Sequence, residues 1–482
     1  LRYHEKRMSD GANLRVTGEF SVPVDWNMEP SGLAALFHEE DYFAFLDSSR
    51  TDDQQGRFSI LAWAPETVLR SKGAALEIRS SGKWRRTEED PLAAFARLLD
   101  VPAGSRPEFA GGAIGYFGYD LFRVLDEYRA LASKDDLGLP DCCLAFYDTA
   151  LVFDHTRREW TARGRNPSLF AARIAEVERR MKGAPSRRTV PFEPAESAGG
   201  LESNMSREGY IGALEKALEH IAAGDIYQLN LSQRFSRPLR AEPFDVFLSL
   251  RSVNPSFYGA YLNCGDHCVI SSSPELFLRR SGDSIETRPI KGTRPRGETR
   301  ESDIALEREL LASEKEAAEL AMIVDLERND LGRICAYGSV EAPERRYVDR
   351  LPTLLHTVAL VRGRLRPGVQ VVDILRATFP GGSISGCPKI RAIEIIDSLE
   401  PTWRHVYTGA IGFVGFGGEM TLSVAIRTLL AARGRIYYQV GSGIVADSIP
   451  DAEYEETLQK AAAIEAAIAQ AEAAPRKGRA GR

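Results

Sequence analysis

Short apolar segments separated by turn residues dominate the second half of the chain. Segments 226–234, 258–262, 268–272, 276–280, 284–290, 410–416, 420–430 and 435–445 read as β-strands. In the first half, 58–64 alternates apolar and polar positions until Pro65 ends it, and 143–153 reads as one buried strand. Residues 109–119 mix Gly111, Gly112, Gly115 and Gly118 with Tyr116, Phe117 and Tyr119, a pattern of strands against which other backbone packs closely. Helical spacing marks 33–46 (turning strand-like at 42–46), 168–182, 206–223 closed by Gly224, 313–329, 388–399 and 450–473. Successive strands joined by short turns predict antiparallel sheets with helices segregated outside, an α+β class.

The chain divides by composition. Residues 13–182 form an N-terminal region that contributes to the sheet core. Residues 183–205, rich in Pro, Gly, Ser and charge, read as a linker; 206–474 carry most of the chemistry; 475–482 read as a disordered basic tail. The 482 residues are 43% hydrophobic and 27% charged, with net charge -6, so no global basic field invites nucleic acid. No apolar run is long enough for a membrane span, and residues 1–12 lack the apolar core of a secretory signal. Six cysteines without CxxC pairing fit a reducing cytoplasm. Cys264 and Cys268 flank Gly265-Asp266, which reads as a hairpin turn rather than a metal site.

Lys291, in Arg288-Pro289-Ile290-Lys291-Gly292-Thr293-Arg294, is poorly placed for a solvated charge. Neighbouring arginines and burial both disfavour its protonated form, moving it toward a neutral nucleophile. Glu275, in Ser273-Pro274-Glu275, lies one short strand upstream and can supply a proton. The alternative is a basic strand edge. Glu316 and Glu319 share one face of a helix, as do Glu453 and Glu456. Together they would form a pocket of hard oxygen ligands suited to Mg²⁺. Ser313 with Glu316, and Ser448 with Asp451, equally read as helix N-caps. Glycine turns at 381–386 and 441–443, with Arg427 in the strand 421–430 and Lys460 beyond Glu456, suggest a small polyanion, a dicarboxylate. His356 among apolar residues reads as a core histidine bonded to backbone.

Several motifs resemble the chorismate-utilising enzymes: GDIYQLNLSQRF, SSSPELFLRR, RPIKGTRPRG, EKEAAELAMIVDLERNDLGRIC, FPGGSISGCPKIRAIEIID and GSGIVADSIPDAEYEET. The resemblance runs from about residue 43 to 473. It implies the fold of anthranilate synthase component I, two packed largely antiparallel β-sheets with helices outside. Within the family, P-I-K-G-T resembles the aminodeoxychorismate synthases, whereas anthranilate synthases read P-I-A-G-T. The resemblance then implies catalysis by Lys291 and Glu275, with His356 near the reacting ring. It implies Mg²⁺ on Glu319 and Glu456 with Glu316 and Glu453 nearby. Chorismate would meet Arg427, Tyr407, Lys460, Gly441, Ser442, Gly443, Ser385, Gly386, Gln228 and Thr293. Gln228 stands where isochorismate-forming relatives carry a lysine base for water. Leu46, Asp47, Ser48, Asn254, Pro255 and Tyr258 resemble a tryptophan pocket, with departures at Asp47 and Phe257. Ammonia would come from a glutamine amidotransferase subunit, and the product would feed p-aminobenzoate and folate synthesis. The alternatives are anthranilate synthase component I with an atypical lysine, and a non-catalytic tryptophan-binding subunit.

Overall fold

A computed structural model of the protein describes residues 20–52, 55–99, 109–125, 128, 132–183, 200–350 and 354–474. The expected linker core (184–199) and the C-terminal tail lie outside the described residues. Among those described, two 12-stranded sheets form, with every named pairing antiparallel. The first runs Phe20–Val24, Glu159–Gly164, Thr149–Asp154, Phe58–Ala62, Ala44–Asp47, Tyr258–Asn263, His267–Ser273, Thr428–Ala432, Arg435–Ile444, Gln228–Pro238 and Glu202–Ser203, with Gly386–Cys387 also paired to Gln228–Pro238. The second runs Ile290–Pro295, Leu354–Arg364, Ser284–Arg288, Leu276–Ser281, Met420–Val424, Ala410–Gly415, Gly112–Phe117, Cys142–Tyr147, Thr67–Lys72, Ala75–Ser80 and Lys83–Glu88, with Glu341–Arg350 also paired to Leu354–Arg364. Both sheets therefore interleave strands from the two halves of the chain.

The apolar layers follow from this order. Ile60, Val152, Leu262 and Val269 of the first sheet meet Val68, Ile114, Ala145 and Ile411 of the second. Outside the second sheet, Leu320, Val324, Ile374 and Ile393 close a helix-covered core. Outside the first, Phe247, Leu250, Ile464 and Ile468 do the same. Central strands such as Cys142–Tyr147 and Thr149–Asp154 are buried along their length, which explains their continuous apolar character. The glycines of the aromatic run are sterically required. A Cβ on Gly115 would lie 1.9 Å from the Cys143 carbonyl oxygen, and one on Gly112 (φ 143°) 2.3 Å from that of Val414.

Several expected strands break where the chain changes sheets. Segment 143–153 is two strands, one per sheet, divided at Asp148, whose Oδ2 accepts the Asn166 amide at 2.7 Å. Segment 420–430 is likewise two strands, parted at residues 425–427. The run 284–290 divides at Pro289, which has no amide to give to the ladder. Within the expected helix at 33–46, only the start of the segment is helical, as the end of Pro30–Ala34, and Ala44–Asp47 is the strand. The hairpin at Gly265-Asp266 forms as expected, with Gly265 at φ 88°. The strand pair Glu341–Arg350 and Leu354–Arg364 and the helices Pro243–Val253 and Arg300–Ala312 are additions to the expected elements.

One buried ion pair braces the centre. Arg404 and Glu400 are joined by Nε to Oε2 at 2.8 Å and Nη2 to Oε1 at 2.6 Å. Arg404 Nη1 donates to the Ile384 carbonyl at 3.2 Å, and Ser232 donates its amide and hydroxyl to Glu400, both at 2.9 Å. Glu400→Ala would strand a buried guanidinium and should destabilise the protein by about 3–5 kcal/mol, read from the urea unfolding midpoint, with Glu400→Gln milder.

Candidate active site

Lys291 lies on Ile290–Pro295, paired with Leu354–Arg364. The register slips between Lys291 and Thr293, so Gly292 (φ 79°) is the extra residue of a β-bulge. A Cβ there would sit 2.9 Å from Glu316 Cδ. Bulges re-aim side chains, and this one sends the Lys291 amine to the Ser383 carbonyl at 3.1 Å. Glu275 occupies the crossover from His267–Ser273 in one sheet to Leu276–Ser281 in the other. Its Oε1 accepts the Ser383 hydroxyl at 2.6 Å. One residue of the short turn Gly382–Ile384 thus holds both the amine and the acid.

Their electrostatics are complementary. Burial lowers Lys291, opposed by Glu275, Glu319 and Glu456 and assisted by Lys460. Burial raises Glu275 to about 7, against the Ser383 hydrogen bond and the Lys291 charge. The arginines flanking Lys291 in sequence are not its partners: Arg294 binds Glu309 and Glu316 at 2.8 Å each, and Arg288 lies 3.6 Å from Glu286. Burial, not crowding by arginine, is the main cause.

The other expected residues divide into those that converge and those that do not. Gly443 lies between Gln228 and Lys291: a Cβ on it would be 2.6 Å from Gln228 Nε2 and 3.7 Å from Lys291 Nζ. Gln228 Oε1 is buried with no hydrogen-bond partner among the described residues. His356 is buried, with Nδ1 2.9 Å from the Thr293 hydroxyl and Nε2 without a partner. Burial first, then Arg427, pushes it down to about 3, so the imidazole is neutral. Besides the Thr293 hydroxyl, a backbone hydrogen bond with Gly292 opposes the lowering, in keeping with the expected core histidine bonded to backbone.

Arg427 is not inside a strand. It has φ 50° and forms the return crossover from Met420–Val424 to Thr428–Ala432. Its Nη1 donates to Asn254 Oδ1 at 2.9 Å, and burial alone lowers it to about 10. A buried guanidinium held by a neutral amide suits an incoming carboxylate. Lys460 pairs with Glu456 at 2.7 Å and donates to the Gly441 carbonyl at 2.9 Å.

Four more of the expected residues make contacts within the protein. Ser442, between the two site glycines, faces away and lies beside Tyr210. The Ser385 hydroxyl donates to the Gly381 carbonyl at 2.9 Å and its amide to that of Gly382 at 3.4 Å, while Gly386 packs against the Gln228 carbonyl. Both Ser385 donors are thus engaged within the turn itself. Tyr407 has its ring 5.8 Å from the Arg404 guanidinium, and burial pushes its phenol up.

The acidic helices present unequal carboxylates. Glu316 binds Arg294 through Oε1, and its Oε2 is buried without a partner. Glu319 is raised by burial and by its neighbours Glu453 and Glu316, against Lys291 and Lys315. Glu453 accepts the Ser448 hydroxyl at 2.7 Å, so Ser448 is not the helix cap; Ile449 is. Ser313 does cap its helix. Among the described residues no three acidic, histidine or cysteine side chains stand close enough to hold a metal by themselves.

Of the expected tryptophan pocket, Leu46, Asp47, Ser48 and Tyr258 line a cavity of about 370 Å³ between the sheets. Asp47 binds Arg251 at 2.6 Å, and Ser48 donates to the Phe58 and Phe257 carbonyls at 2.9 and 3.0 Å. Asn254 turns to Arg427, and Pro255 is not in the lining. Sequence reasoning gave Ser383 and Glu327 no role; the only signal for Ser383 was its place in the glycine run before a helix.

The chain belongs to the chorismate binding enzyme family, which residues 44–466 match. It is 41% identical over 438 residues to anthranilate synthase component 1 of Thermus thermophilus, covering 89% of this chain and 93% of that one. It is 39% identical over 442 residues to aminodeoxychorismate synthase component 1 of Bacillus subtilis, covering 90% and 93%. Its fold matches the crystal structure of anthranilate synthase component I from Streptococcus pneumoniae with TM-score 0.77 at 33% identity, over 86% of this chain and 94% of that one. No helix of the described residues is long and apolar enough to cross a membrane.

Gly443→Ala tests the convergence. The added methyl must displace Gln228 beside Lys291, so chorismate binding by calorimetry should weaken about tenfold, ~1.4 kcal/mol, with the unfolding midpoint little changed.

Proposed function

We propose that the protein is the chorismate-aminating component of an aminodeoxychorismate synthase, converting chorismate and ammonia to 4-amino-4-deoxychorismate. The observation that carries this reading is the Lys291 amine, buried and lowered, sharing Ser383 with a protonatable Glu275. Relatives at similar identity carry two different product names, so the assignment rests on Lys291 in P-I-K-G-T rather than on overall likeness.

Neutral Lys291 attacks C2 of chorismate. Both ring double bonds shift, C1=C2 to C6=C1 and C5=C6 to C4=C5, and the C4 hydroxyl leaves as water with the proton of Glu275. The new secondary ammonium releases one proton. Ammonia then adds at C4, both double bonds shift back, and the C2–N bond breaks with a proton returned to the departing amine. A covalent adduct divides one difficult substitution into two displacements. Gln228, an amide, cannot deprotonate water, which favours nitrogen as the second nucleophile. Arg427 and Lys460 bind substrate carboxylates, and neutral His356 lies near the ring.

The carboxylate set fits Mg²⁺: the buried, partnerless Glu316 Oε2 and the mutually repelling Glu316, Glu319 and Glu453 offer hard oxygens that a cation would relieve. Glu319 and Glu456 would hold the ion, with Glu316 and Glu453 beside them. Bound there, it would neutralise and orient the substrate's carboxylates. Ammonia is supplied by a glutamine amidotransferase partner, and the product serves p-aminobenzoate and folate synthesis in the cytoplasm. The cavity between the sheets is the place for a tryptophan.

Incubation with chorismate, Mg²⁺ and ammonium should give a product that becomes p-aminobenzoate only when a lyase is added. Anthranilate fluorescence without lyase would refute the assignment. Lys291→Ala should lose at least about 10³-fold in kcat, as expected for removing a covalent nucleophile. Its adduct in the wild type should appear by mass spectrometry after rapid quench. The pH profile should be bell-shaped. The productive pair, neutral lysine with protonated glutamic acid, carries the same proton count as the ion pair. Activity therefore falls as Glu275 loses its proton above about 7 and as both groups become protonated at low pH.

A further inference from the structure

Two turns along the helix from Glu319, the same helix carries a second pair of carboxylates. Glu327 is 2% exposed, and its Oε1 accepts the Gly382 amide at 3.2 Å. Its Oε2 is buried and has no hydrogen-bond partner among the described residues. Asp330, one turn on, is ion-paired with Lys389, which also donates to the Thr378 carbonyl at 2.9 Å. Burial, then the Asp330 charge, pushes Glu327 up to about 8, and the charge of Glu275 adds to this. A lone buried oxygen costs about 1–3 kcal/mol, so packing alone does not account for an acid at this position. On its other side Gly382 is walled by Leu326, whose Cδ2 would be 2.6 Å from a Cβ there.

We propose that Glu327 is a positioning residue for the reaction. It fixes the Gly382 amide, and the next residue in the chain is Ser383, whose hydroxyl holds Glu275 and whose carbonyl holds Lys291. A tilt of the Gly381–Gly382 peptide, passed on to Ser383, would move acid and amine together. Displacements of about 1 Å at reacting groups cost on the order of 10²-fold in rate. Glu327 touches neither substrate nor reacting atoms; it acts through the turn. The inference rests on the Lys291–Glu275 reading above and adds a residue behind it.

The test compares Glu327→Leu, which removes the acceptor, with Glu327→Gln, which keeps a carbonyl oxygen for the Gly382 amide. Glu327→Ala, which admits water, serves if the leucine variant does not fold. On the full chain with chorismate, Mg²⁺ and ammonium, kcat should fall about 30-fold or more in Glu327→Leu with KM within about twofold. Glu327→Gln should stay within about threefold of wild type. A second readout needs no substrate: competitive acetylation of Lys291, followed by mass spectrometry across pH. Its midpoint should shift in Glu327→Leu and not in Glu327→Gln. Wild-type rates in Glu327→Leu, equal impairment of both variants, or an unmoved acetylation midpoint would overturn the proposal. A wild-type enzyme that makes anthranilate would defeat the product assignment alone, since the acetylation comparison still decides the role of Glu327.

Discussion

The site depends on Ser383. Its carbonyl accepts from Lys291 and its hydroxyl donates to Glu275. A buried amine and a buried acid would ordinarily each find a countercharge of their own. Here both are held by one neutral residue. Desolvation then pushes the amine down and the acid up, each toward its uncharged form. The turn carrying Ser383 is held in its place by Arg404 on the Ile384 carbonyl and by its internal bonds through Ser385.

The sandwich supplies the geometry. Glu275 and Arg427 lie in two crossovers between the sheets that run side by side. Val424 N donates to the Glu275 carbonyl at 3.0 Å, and Ser272 N to that of Arg427 at 3.2 Å. The acid and a buried guanidinium are thus fixed by main chain tied into both sheets. Such rigidity suits chemistry that needs reacting groups within tenths of an ångström.

Much of this was legible in the sequence because it is local. The amine between Ile290 and Gly292, the acid after Pro274 and the glutamates spaced by three residues all announce themselves, and the strand segments follow their apolar runs. What was hidden depends on distant contacts. Nothing in 420–430 marks a break, since Arg427 enters the left-handed region without glycine. Asp148 ends a strand by binding the Asn166 amide, a partner 18 residues away. The arginines beside Lys291 seemed its electrostatic neighbours, yet they turn to Glu309, Glu316 and Glu286. Ser385 seemed to offer free donors, and both are engaged inside its own turn.

The interleaving of the sheets has a consequence for how the molecule is made. Gly112–Phe117 pairs with Ala410–Gly415, and Ala44–Asp47 with Tyr258–Asn263. On the ribosome, the early strands must wait for partners translated hundreds of residues later. During that wait their edges are open to wrong pairing, and they depend on short-lived shelter, whether from hairpins of their own or from chaperones.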